Sequence, residues 1–386
     1  MAPALVLSIL ALAVWAYLLL FRGGFWRELP QPAPDQEPAD WPGVVAVVPA
    51  RNEADVIARS MAALLAQDYP GRFTVILVDD SSTDGTAATA ERLVGQGGPH
   101  RLQVVRNDPL PPGWTGKLWA VNRGLAEAER VVPEAKYVLL TDADIRHGTA
   151  SLRHLVTRAE QERLKLVSLM ARLKTATIAE KALIPAYIFF FQKLYPFAWV
   201  RNTRNKLGAA AGGCMLAERA ALREIGGITA IRDRLIDDCA LGQALKAKGP
   251  IWLGLADDVT SLRGYPRWGD VWMLVARSAF TQLGFSATML LVTVLSMTAT
   301  YVLAPVLLLS TDGPACLVAA LATLAMICAY QPVLRYYRLS PAWALALPAV
   351  AMFYTAATVD SALRYWSGRG GAWKGRFQAK GVLGGS

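Results

Sequence analysis

The chain has 386 residues, of which 54% are hydrophobic and only 18% are charged. Soluble domains usually carry about 25% charged residues, so this composition excludes a disordered chain and predicts that part of the sequence lies in a membrane. The four cysteines form no C-x-x-C pair, which excludes a disulfide-rich scaffold and gives no zinc-ligand spacing. The formal net charge of +10 indicates anchoring to anionic lipid, not nucleic-acid binding.

Four long uncharged runs are candidate membrane spans, because about 20 apolar residues cross a bilayer as a helix. They cover residues 1–21, 278–311, 313–334 and 339–359. Arg22 and Arg27 follow the first run, whereas a cleaved signal peptide carries basic residues before its apolar core. We therefore predict an uncleaved anchor at 1–21 with a cytoplasmic segment after it, since positive charge stays on the cytoplasmic side.

Residues 278–363 are predicted to form two to three spans, because the tail that follows them, 364–386, is basic. This tail has no acidic residue, and its basic residues are Arg364, Arg369, Lys374, Arg376 and Lys380. Four crossings in the whole chain would place the tail outside the cell, although its charge favours the cytoplasm. One of the last three runs is therefore expected to be re-entrant or interfacial, and Pro332, Pro341 and Pro348 point to the third or the fourth.

Residues 22–42 are predicted to be a proline-rich spacer, and residues 43–277 a soluble domain. Within this domain the aromatic segment 182–200 is too short, and too interrupted by Lys193 and two prolines, to span a bilayer. Two interpretations stay open: a helix at the lipid headgroup boundary, or a buried core helix of the soluble domain.

Apolar, β-branched runs alternate with helical stretches through the soluble domain. The predicted strands are Val44–Pro49, Phe73–Val78, Leu102–Val105, Tyr137–Leu140 and Leu164–Leu169, and the predicted helices are Ala54–Ala66, Thr86–Val94, Lys117–Glu129 and Thr149–Arg163. This alternation indicates an α/β fold with a mostly parallel sheet covered on both faces. Ligands of such sheets lie beyond the carboxyl ends of the strands.

Carboxylates follow three of these strand ends. The first strand leads into Glu53, the second into Asp79, Asp80 and Asp84, and the fourth into Asp142 and Asp144. Each has an alternative structural role; for example, Asp84 could cap a helix and Asp79 could lie in a turn. Carboxylates that cluster at one rim repel each other, and a bound divalent cation would offset that cost. No G-x-G-x-x-G or P-loop motif occurs, which argues against dinucleotide and P-loop sites.

The stretch from about Val44 to Gly249 resembles a family 2 glycosyltransferase, an inverting enzyme with the GT-A fold that uses a nucleotide-activated sugar. Five motifs occur in the order of that family: P-x-x-N-E, V-D-D-x-S-x-D-G-T, G-K at Gly116-Lys117, D-A-D, and the acidic pair Asp237-Asp238. The layout of the spans and the tail motif Trp373-Lys374-Gly375-Arg376 resemble the bacterial hopene-associated glycosyltransferases.

The resemblance implies a role for each motif. Asp238 would be the catalytic base beside Asp237, and Asp144, helped by Asp142, would hold Mg²⁺ or Mn²⁺. Donor-binding residues would be Pro49, Ala50, Glu53, Asp79, Asp80, Asp84, Lys117, Asp142, Arg267 and Trp268. The family usually has Glu-Asp where this chain has Asp237-Asp238, which leaves the role of Asp237 open.

Structural alternatives remain for these residues. Asp237 and Asp238 would also favour a helix N-terminus, and Lys117 could be a solvated lysine. The segment from Arg263 to Trp268 has one residue more than the [Q/R]-x-x-R-W motif of membrane-bound relatives. His147 has no ligand spacing and is predicted to be a polar surface residue.

These observations predict a multi-pass protein of the bacterial inner membrane with a cytoplasmic catalytic domain. The expected activity is that of a hexosyltransferase, which moves a sugar from a nucleotide donor to a hopanoid, polyprenyl or other lipid alcohol. One alternative is a processive polysaccharide synthase, although at most three spans follow the domain to form a polymer channel. The other is a sugar-nucleotide-binding protein with a degenerate site, although pure binding needs no base.

Overall fold

The computed structural model describes residues 3–32, 36–96 and 98–369, and the backbone of 372–373 and 376–377. The chain divides into two compact units. We call them the apolar unit (residues 1–29, 175–199 and 265–371) and the sheet unit (residues 30–174, 200–264 and 372–386). The sheet unit is thus smaller than the predicted domain 43–277. Lys374, Gly375 and Lys380 of the predicted basic tail lie outside the described residues.

The sheet unit is built on one eight-stranded sheet. Its strands are β1 Val44–Ala50, β2 Phe73–Asp79, β3 Arg101–Arg106, β4 Tyr137–Thr141, β5 Ile145–Arg146, β6 Leu166–Arg172, β7 Cys214–Glu218 and β8 Ile251–Ser261, in the spatial order β3-β2-β1-β4-β7-β6-β8-β5. The pairs of β1 with β2 and β4, of β2 with β3, and of β6 with β8 are parallel. The strands β7 and β5 pair antiparallel with their neighbours. The five predicted strands are present, but the sheet is mixed because β5 and β7 pair antiparallel with their neighbours.

The helices of both units follow in chain order. They are α1 Pro3–Phe21, α2 Ile57–Leu65, α3 Thr86–Glu91, α4 Gly116–Val131, α5 Ser151–Gln161, α6 Ile178–Leu194, α7 Phe197–Arg201, α8 Arg219–Glu224, α9 Asp237–Lys246, α10 Trp268–Ala276, α11 Ala279–Gln282, α12 Ala287–Tyr301, α13 Leu303–Ser310, α14 Gly313–Tyr336 and α15 Leu347–Trp366. The four helices predicted from the sequence correspond to α2, α3, α4 and α5.

The packing of α4 on the sheet fixes one side of the rim where the acidic residues gather. All seven residues of β1 are buried, as expected for a strand covered on both faces. Gly124 of α4 allows the helix to lie close to the sheet, because a Cβ atom there would lie 2.4 Å from Cγ1 of Val47. The hydroxyl of Thr115 accepts a hydrogen bond from the Leu118 amide and caps the helix start. Lys117 is thereby placed at the carboxyl edge of β1 and β4.

The apolar unit contains the helices that could cross a membrane. Among the described residues, α1, α14 and the segment Pro341–Trp366, which includes α15, are long and apolar enough to do so. The helices α12 and α13 pass the same test only as a pair, and they are bent by 44° at the break between them. The bend lies in the second uncharged run, and a re-entrant or interfacial third or fourth run stays a prediction.

The aromatic segment 182–200 belongs mostly to the apolar unit, in which α6 runs without a break through Pro185. The carbonyl of Leu183 accepts a hydrogen bond of 2.9 Å from the hydroxyl of Tyr354 in α15. The ring of Phe189 lies 5.2 Å from that of Tyr330 in α14 and 5.3 Å from that of Phe25, four residues beyond the end of α1. The interpretation of this segment as a core helix of the sheet domain is therefore wrong, while its position in a bilayer stays a prediction.

Candidate active site

The ends of β1 and β2 are held together by tight turns that bury acidic side chains. Asn52 and Ser81 adopt left-handed backbone conformations, with φ of 51° and 57°. The amide of Asp80 donates to the carbonyl of Ala50 at 2.8 Å, and the amide of Glu53 donates to the hydroxyl of Thr86 at 2.8 Å. Glu53, Asp79 and Asp80 are consequently all buried at the rim of the sheet.

The carboxylates after β2 differ in what their oxygens contact. Asp80 accepts a hydrogen bond from the side-chain amide of Asn107 at 2.9 Å. Asp79 accepts one from the amide of Ser82 at 3.3 Å, while its buried Oδ1 has no hydrogen-bond partner among the described residues. Because a buried acceptor without a partner is costly, this oxygen is the one best suited to receive a ligand's donor group.

Asp84 has the structural role that the sequence left open. Its carboxylate accepts hydrogen bonds of 3.0 Å from the amides of Thr86 and Ala54, and so joins the start of α3 to the segment after β1. Burial would raise the pKa of Asp84, but a hydrogen bond from the Thr86 hydroxyl, together with those from the amides, outweighs it and holds the pKa below its usual value. Asp84 therefore supports the rim, and its contact with a donor stays a prediction.

Lys117 links two parts of the chain that are far apart in sequence. Its ammonium group lies 2.9 Å from Oδ1 of Asp142, just after β4, and 3.2 Å from Oδ2 of Asp237, at the start of α9. Burial alone would lower the pKa of Lys117, yet the two carboxylates outweigh it and raise the pKa. The solvated-lysine interpretation is thus wrong. These three side chains, together with Pro49 at the end of β1, line a narrow cleft.

Asp238 lies beside this ion pair, against a glycine. Its Oδ2 accepts a hydrogen bond of 2.9 Å from the amide of Gly212, and its Oδ1 accepts one of 2.8 Å from the amide of Cys239. A Cβ atom at Gly212 would lie 3.3 Å from Nζ of Lys117 and 3.4 Å from Oδ2 of Asp238, so any larger residue would crowd both groups. Burial, and then the charge of Asp237, raise the pKa of Asp238 to about 6.

Arg263 makes a second ionic link across the rim, one that the sequence did not reveal. Its Nε lies 2.8 Å from Oδ2 of Asp144, and its Nη2 lies 2.6 Å from both carboxylate oxygens of Glu53. Arg263 is the first residue of the R-G-Y-P-R-W segment, and the likeness of this segment to the [Q/R]-x-x-R-W motif is the sequence signal that could have identified Arg263. Lys117 and Arg263 are thus both paired with carboxylates at the rim, as is Arg51, whose Nη1 lies 3.5 Å from Oδ2 of Asp80.

The side chains of Asp142 and Asp144 fit a hard divalent cation in their chemistry, because both are carboxylates two residues apart at one strand end. No group of three or more His, Cys, Asp or Glu side chains that could hold a metal ion occurs in the described residues. A cation at this place would have to complete its shell with phosphate oxygens and water, as Mg²⁺ commonly does.

Two further predicted residues belong to the apolar unit. The guanidinium of Arg267 lies 3.2 Å from Asp270 in the first turn of α10. The ring of Trp268 makes an edge contact with Phe353, with centroids 6.2 Å apart. A donor contact for either residue stays a prediction.

His147 is not a surface residue, so that prediction is wrong. Its side chain is buried after β5, and its Nε2 lies 2.9 Å from the hydroxyl of Thr141. Burial lowers the pKa of His147 to about 4. The neutral imidazole thus holds Thr141, the last residue of β4 before Asp142.

Comparisons with known proteins agree with this geometry. Residues 45–226 match the family model described as Glycosyl transferase family 2. The beta-monoglucosyldiacylglycerol synthase of Synechocystis sp. is 37% identical over 109 residues, which are 27% of this chain and 22% of that protein. The structure of the mannosyltransferase PcManGT from Pyrobaculum calidifontis, in complex with GDP-Man and Mn²⁺, aligns with a TM-score of 0.58 and 21% identity over 92% of this chain and 98% of that chain.

The family match covers slightly less than half of the chain, and the structural alignment shows that the fold of the chain is GT-A-like. The matched segment spans less than a quarter of the Synechocystis protein.

The ion pairs of Lys117 lead to a prediction about stability. Lys117→Met leaves Asp142 and Asp237 without their shared cation. Because both carboxylates are partly exposed, we expect the substitution to lower the free energy of unfolding by roughly 1–3 kcal/mol. Lys136→Met is the matched control, because Lys136 forms an exposed ion pair with Glu160; its cost should stay below about 1 kcal/mol. Denaturant unfolding followed by tryptophan fluorescence measures both, and equal effects would contradict the prediction.

Proposed function

We propose that this protein is a membrane-bound inverting glycosyltransferase that moves a hexose from a nucleotide-activated donor to a lipid alcohol at the cytoplasmic face. One observation carries the proposal: the carboxylate of Asp238 lies beside the Lys117–Asp237 ion pair, with its pKa raised to about 6. Pure binding of a sugar nucleotide needs no such group, whereas activation of a hydroxyl does.

The chemistry of transfer assigns one proton and one bond to this site. An acceptor hydroxyl is a poor nucleophile near neutral pH, so a carboxylate within hydrogen-bond reach assists it. Asp238 would take the hydroxyl proton while the oxygen attacks the anomeric carbon from the face opposite the diphosphate. The bond from that carbon to the diphosphate breaks, the nucleoside diphosphate leaves, and the configuration is inverted.

Lys117 has two tasks in this mechanism. It keeps Asp237 in place at the start of α9, 3.2 Å away, and its charge opposes the rise in the pKa of Asp238. Asp238 is then mostly ionised at pH 7 and ready to accept a proton. Asp237 acts as a neighbour that positions Lys117 and the helix start.

The donor would occupy the rim formed by the ends of β1, β2 and β4. The buried Oδ1 of Asp79 offers an acceptor to the nucleoside, next to Asp80 and Glu53. Asp144 and Asp142 would hold Mg²⁺ or Mn²⁺, which when bound neutralises charge that develops on the leaving diphosphate. The structural relative from Pyrobaculum was solved with GDP-Man and Mn²⁺, which supports a donor and a cation of these classes.

A lipid acceptor is supported by two independent facts. Three helices of the described chain are long and apolar enough to cross a membrane. The Synechocystis relative is named for a glycolipid product. A hopanoid, a polyprenyl alcohol and other lipid alcohols share the hydroxyl that Asp238 would deprotonate. Incubation of the detergent-solubilised protein with sugar nucleotides and a lipid extract, followed by mass spectrometry of any glycolipid, tests the proposal directly.

The first prediction here separates the base from the donor site. Asp238→Asn should lower the transfer rate by roughly 10²–10⁴-fold and leave donor affinity near normal, because it removes only the proton acceptor. Asp144→Asn should weaken donor binding. Calorimetry with the sugar nucleotide, measured beside initial rates, distinguishes the two variants.

The pH dependence supplies an internal control for this prediction. Because Asp238 must be ionised to accept a proton, the wild-type rate should fall as the pH drops through about 6. The residual rate of Asp238→Asn should lack this acid limb. A normal rate for Asp238→Asn would remove it from the mechanism and make Asp237 the candidate base.

Cation dependence is the second prediction. Excess EDTA should abolish transfer, and Mg²⁺ or Mn²⁺ should restore it, since a cation held by Asp144 and Asp142 would neutralise the charge that develops on the leaving diphosphate. Ca²⁺ is a suitable comparison, because it takes more ligands at longer distances. Full activity in EDTA would show that a metal-free mechanism operates.

The third prediction concerns topology. We propose that both ends of α15 lie on the cytoplasmic side. A connection that includes the 3₁₀ helix Pro341–Ala346 joins α14 to α15, and Asp360 of α15 accepts a hydrogen bond of 2.7 Å from Trp272 in α10, which follows the sheet unit in the chain. Phe189 contacts both Phe25 and Tyr330, so α1 and α14 end on the same side.

Cysteine labelling in intact cells tests this arrangement. On a background with Cys316 and Cys328 replaced by Ser, Arg92→Cys and Ser367→Cys should be protected from a membrane-impermeant reagent. Asp312→Cys, which precedes α14 at its other end, should react. Labelling of position 367 from outside would show that α15 crosses the membrane, and labelling of position 92 would overturn the cytoplasmic domain.

A further inference from the structure

Two cations meet at the junction of α1 and α6 in the apolar unit. The Nε of Arg22 donates to the carbonyl of Lys193 at 3.1 Å, and its Nη2 donates to the carbonyl of Leu194 at 3.3 Å. The guanidinium lies 4.9 Å from the ring centroid of Trp199. These contacts satisfy the end of α6 but leave the charge of Arg22 without an acidic partner among the described residues.

The ammonium group of Lys193 also lies among uncharged groups. It lies 3.7 Å from the sulfur of Met297, 4.6 Å from the ring centroid of Tyr301 and 5.5 Å from that of Phe190. None of these contacts neutralises its charge, and no carboxylate pairs with it in the described part of the chain. Burial, and then the positive charge of Arg22, lower the pKa of Lys193 to about 7. Two cations so placed are stabilised when an anion joins them.

The surface next to these cations is apolar. Tyr17, Leu20 and Phe21 on the last turns of α1, and Leu194 at the end of α6, are each about half to two-thirds exposed. The turn at Gly23 brings the indole of Trp199 against the backbone, since a Cβ atom there would lie 2.7 Å from its Nε1. Tryptophan, arginine and lysine beside exposed aliphatic groups are typical of the boundary between headgroups and acyl chains.

We propose that Arg22, Lys193 and Trp199 form a binding site for the phosphate of an anionic lipid headgroup. The two cations bind the phosphate, the indole N–H is a further donor, and the apolar ends of α1 and α6 contact the acyl chains. A free phosphate ion would match the charges equally well. The exposed apolar groups favour a lipid. This site lies within the apolar unit and does not depend on the proposed sugar transfer.

Native mass spectrometry of the full-length protein released from neutral detergent tests the proposal. The probes are a phosphatidylglycerol, a phosphatidylcholine with the same chains, and inorganic phosphate. We expect the phosphatidylglycerol to bind at least tenfold more tightly than the other two. Equal binding of phosphatidylcholine, or displacement of the lipid by millimolar phosphate, would overturn the lipid assignment.

Lys193→Gln is the informative variant, because it removes the ammonium group without touching the carbonyls that Arg22 caps. It should weaken phosphatidylglycerol binding about tenfold, the usual scale for a hydrogen bond to a charged group. Arg335→Gln is the matched control, since Arg335 is an exposed cation in the last turn of α14.

The comparison of these two variants decides between a site and a general charge effect. If Arg335→Gln weakens binding as much as Lys193→Gln, bulk attraction to the anionic surface explains the result and the proposal fails. It fails as well if Lys193→Gln binds like the wild type. Arg22→Lys, which keeps the charge but loses one contact to α6, should retain most of the affinity, and a circular-dichroism melt confirms that each variant is folded.

Discussion

The ammonium group of Lys117 is the contact on which the candidate site depends. It joins Asp142, at the end of a strand, to Asp237, at the start of a helix nearly a hundred residues later in the chain. Without a cation at this point, the carboxylates of Asp142, Asp237 and Asp238 would repel one another in a poorly solvated cleft. The close packing of α4 at Gly124 and the absence of a side chain at Gly212 both serve to bring Lys117 there.

The sequence predicted the parallel half of the sheet well, and the reason is physical. Strands such as β1 are buried on both faces and appear as unbroken apolar runs. The strand β7 has only five residues, and β8 carries Asp257 and Asp258 where its register with β6 shifts, so neither has a clear apolar pattern. The mixed character of the sheet follows from β7 and the two-residue strand β5, and it could not be derived from hydropathy alone.

Long-range ionic contacts were the least predictable part of the site. The sequence identified Lys117 as a candidate, but not Asp142 and Asp237 as its joint partners. Arg263 is 210 residues from Glu53 and 119 residues from Asp144, and only folding brings the three together. His147 was wrongly predicted to lie on the surface. A polar residue after an acidic loop gives no sign in the sequence that it will be buried and hydrogen-bonded to Thr141.

The balance of charge at the rim explains why a cation and a donor should bind together. Among the described residues, Glu53, Asp142, Asp144 and Asp237 form ion pairs with Lys117 or Arg263, and burial, followed by the charge of Asp237, raises the pKa of Asp238. A nucleoside diphosphate would add more negative charge to the same place. Arg263 alone cannot compensate for the charge of the diphosphate, because its Nη2 and Nε already pair with Glu53 and Asp144. A divalent cation supplies the missing charge, so entry of the donor and binding of the cation should be thermodynamically coupled, each strengthening the other by the same factor.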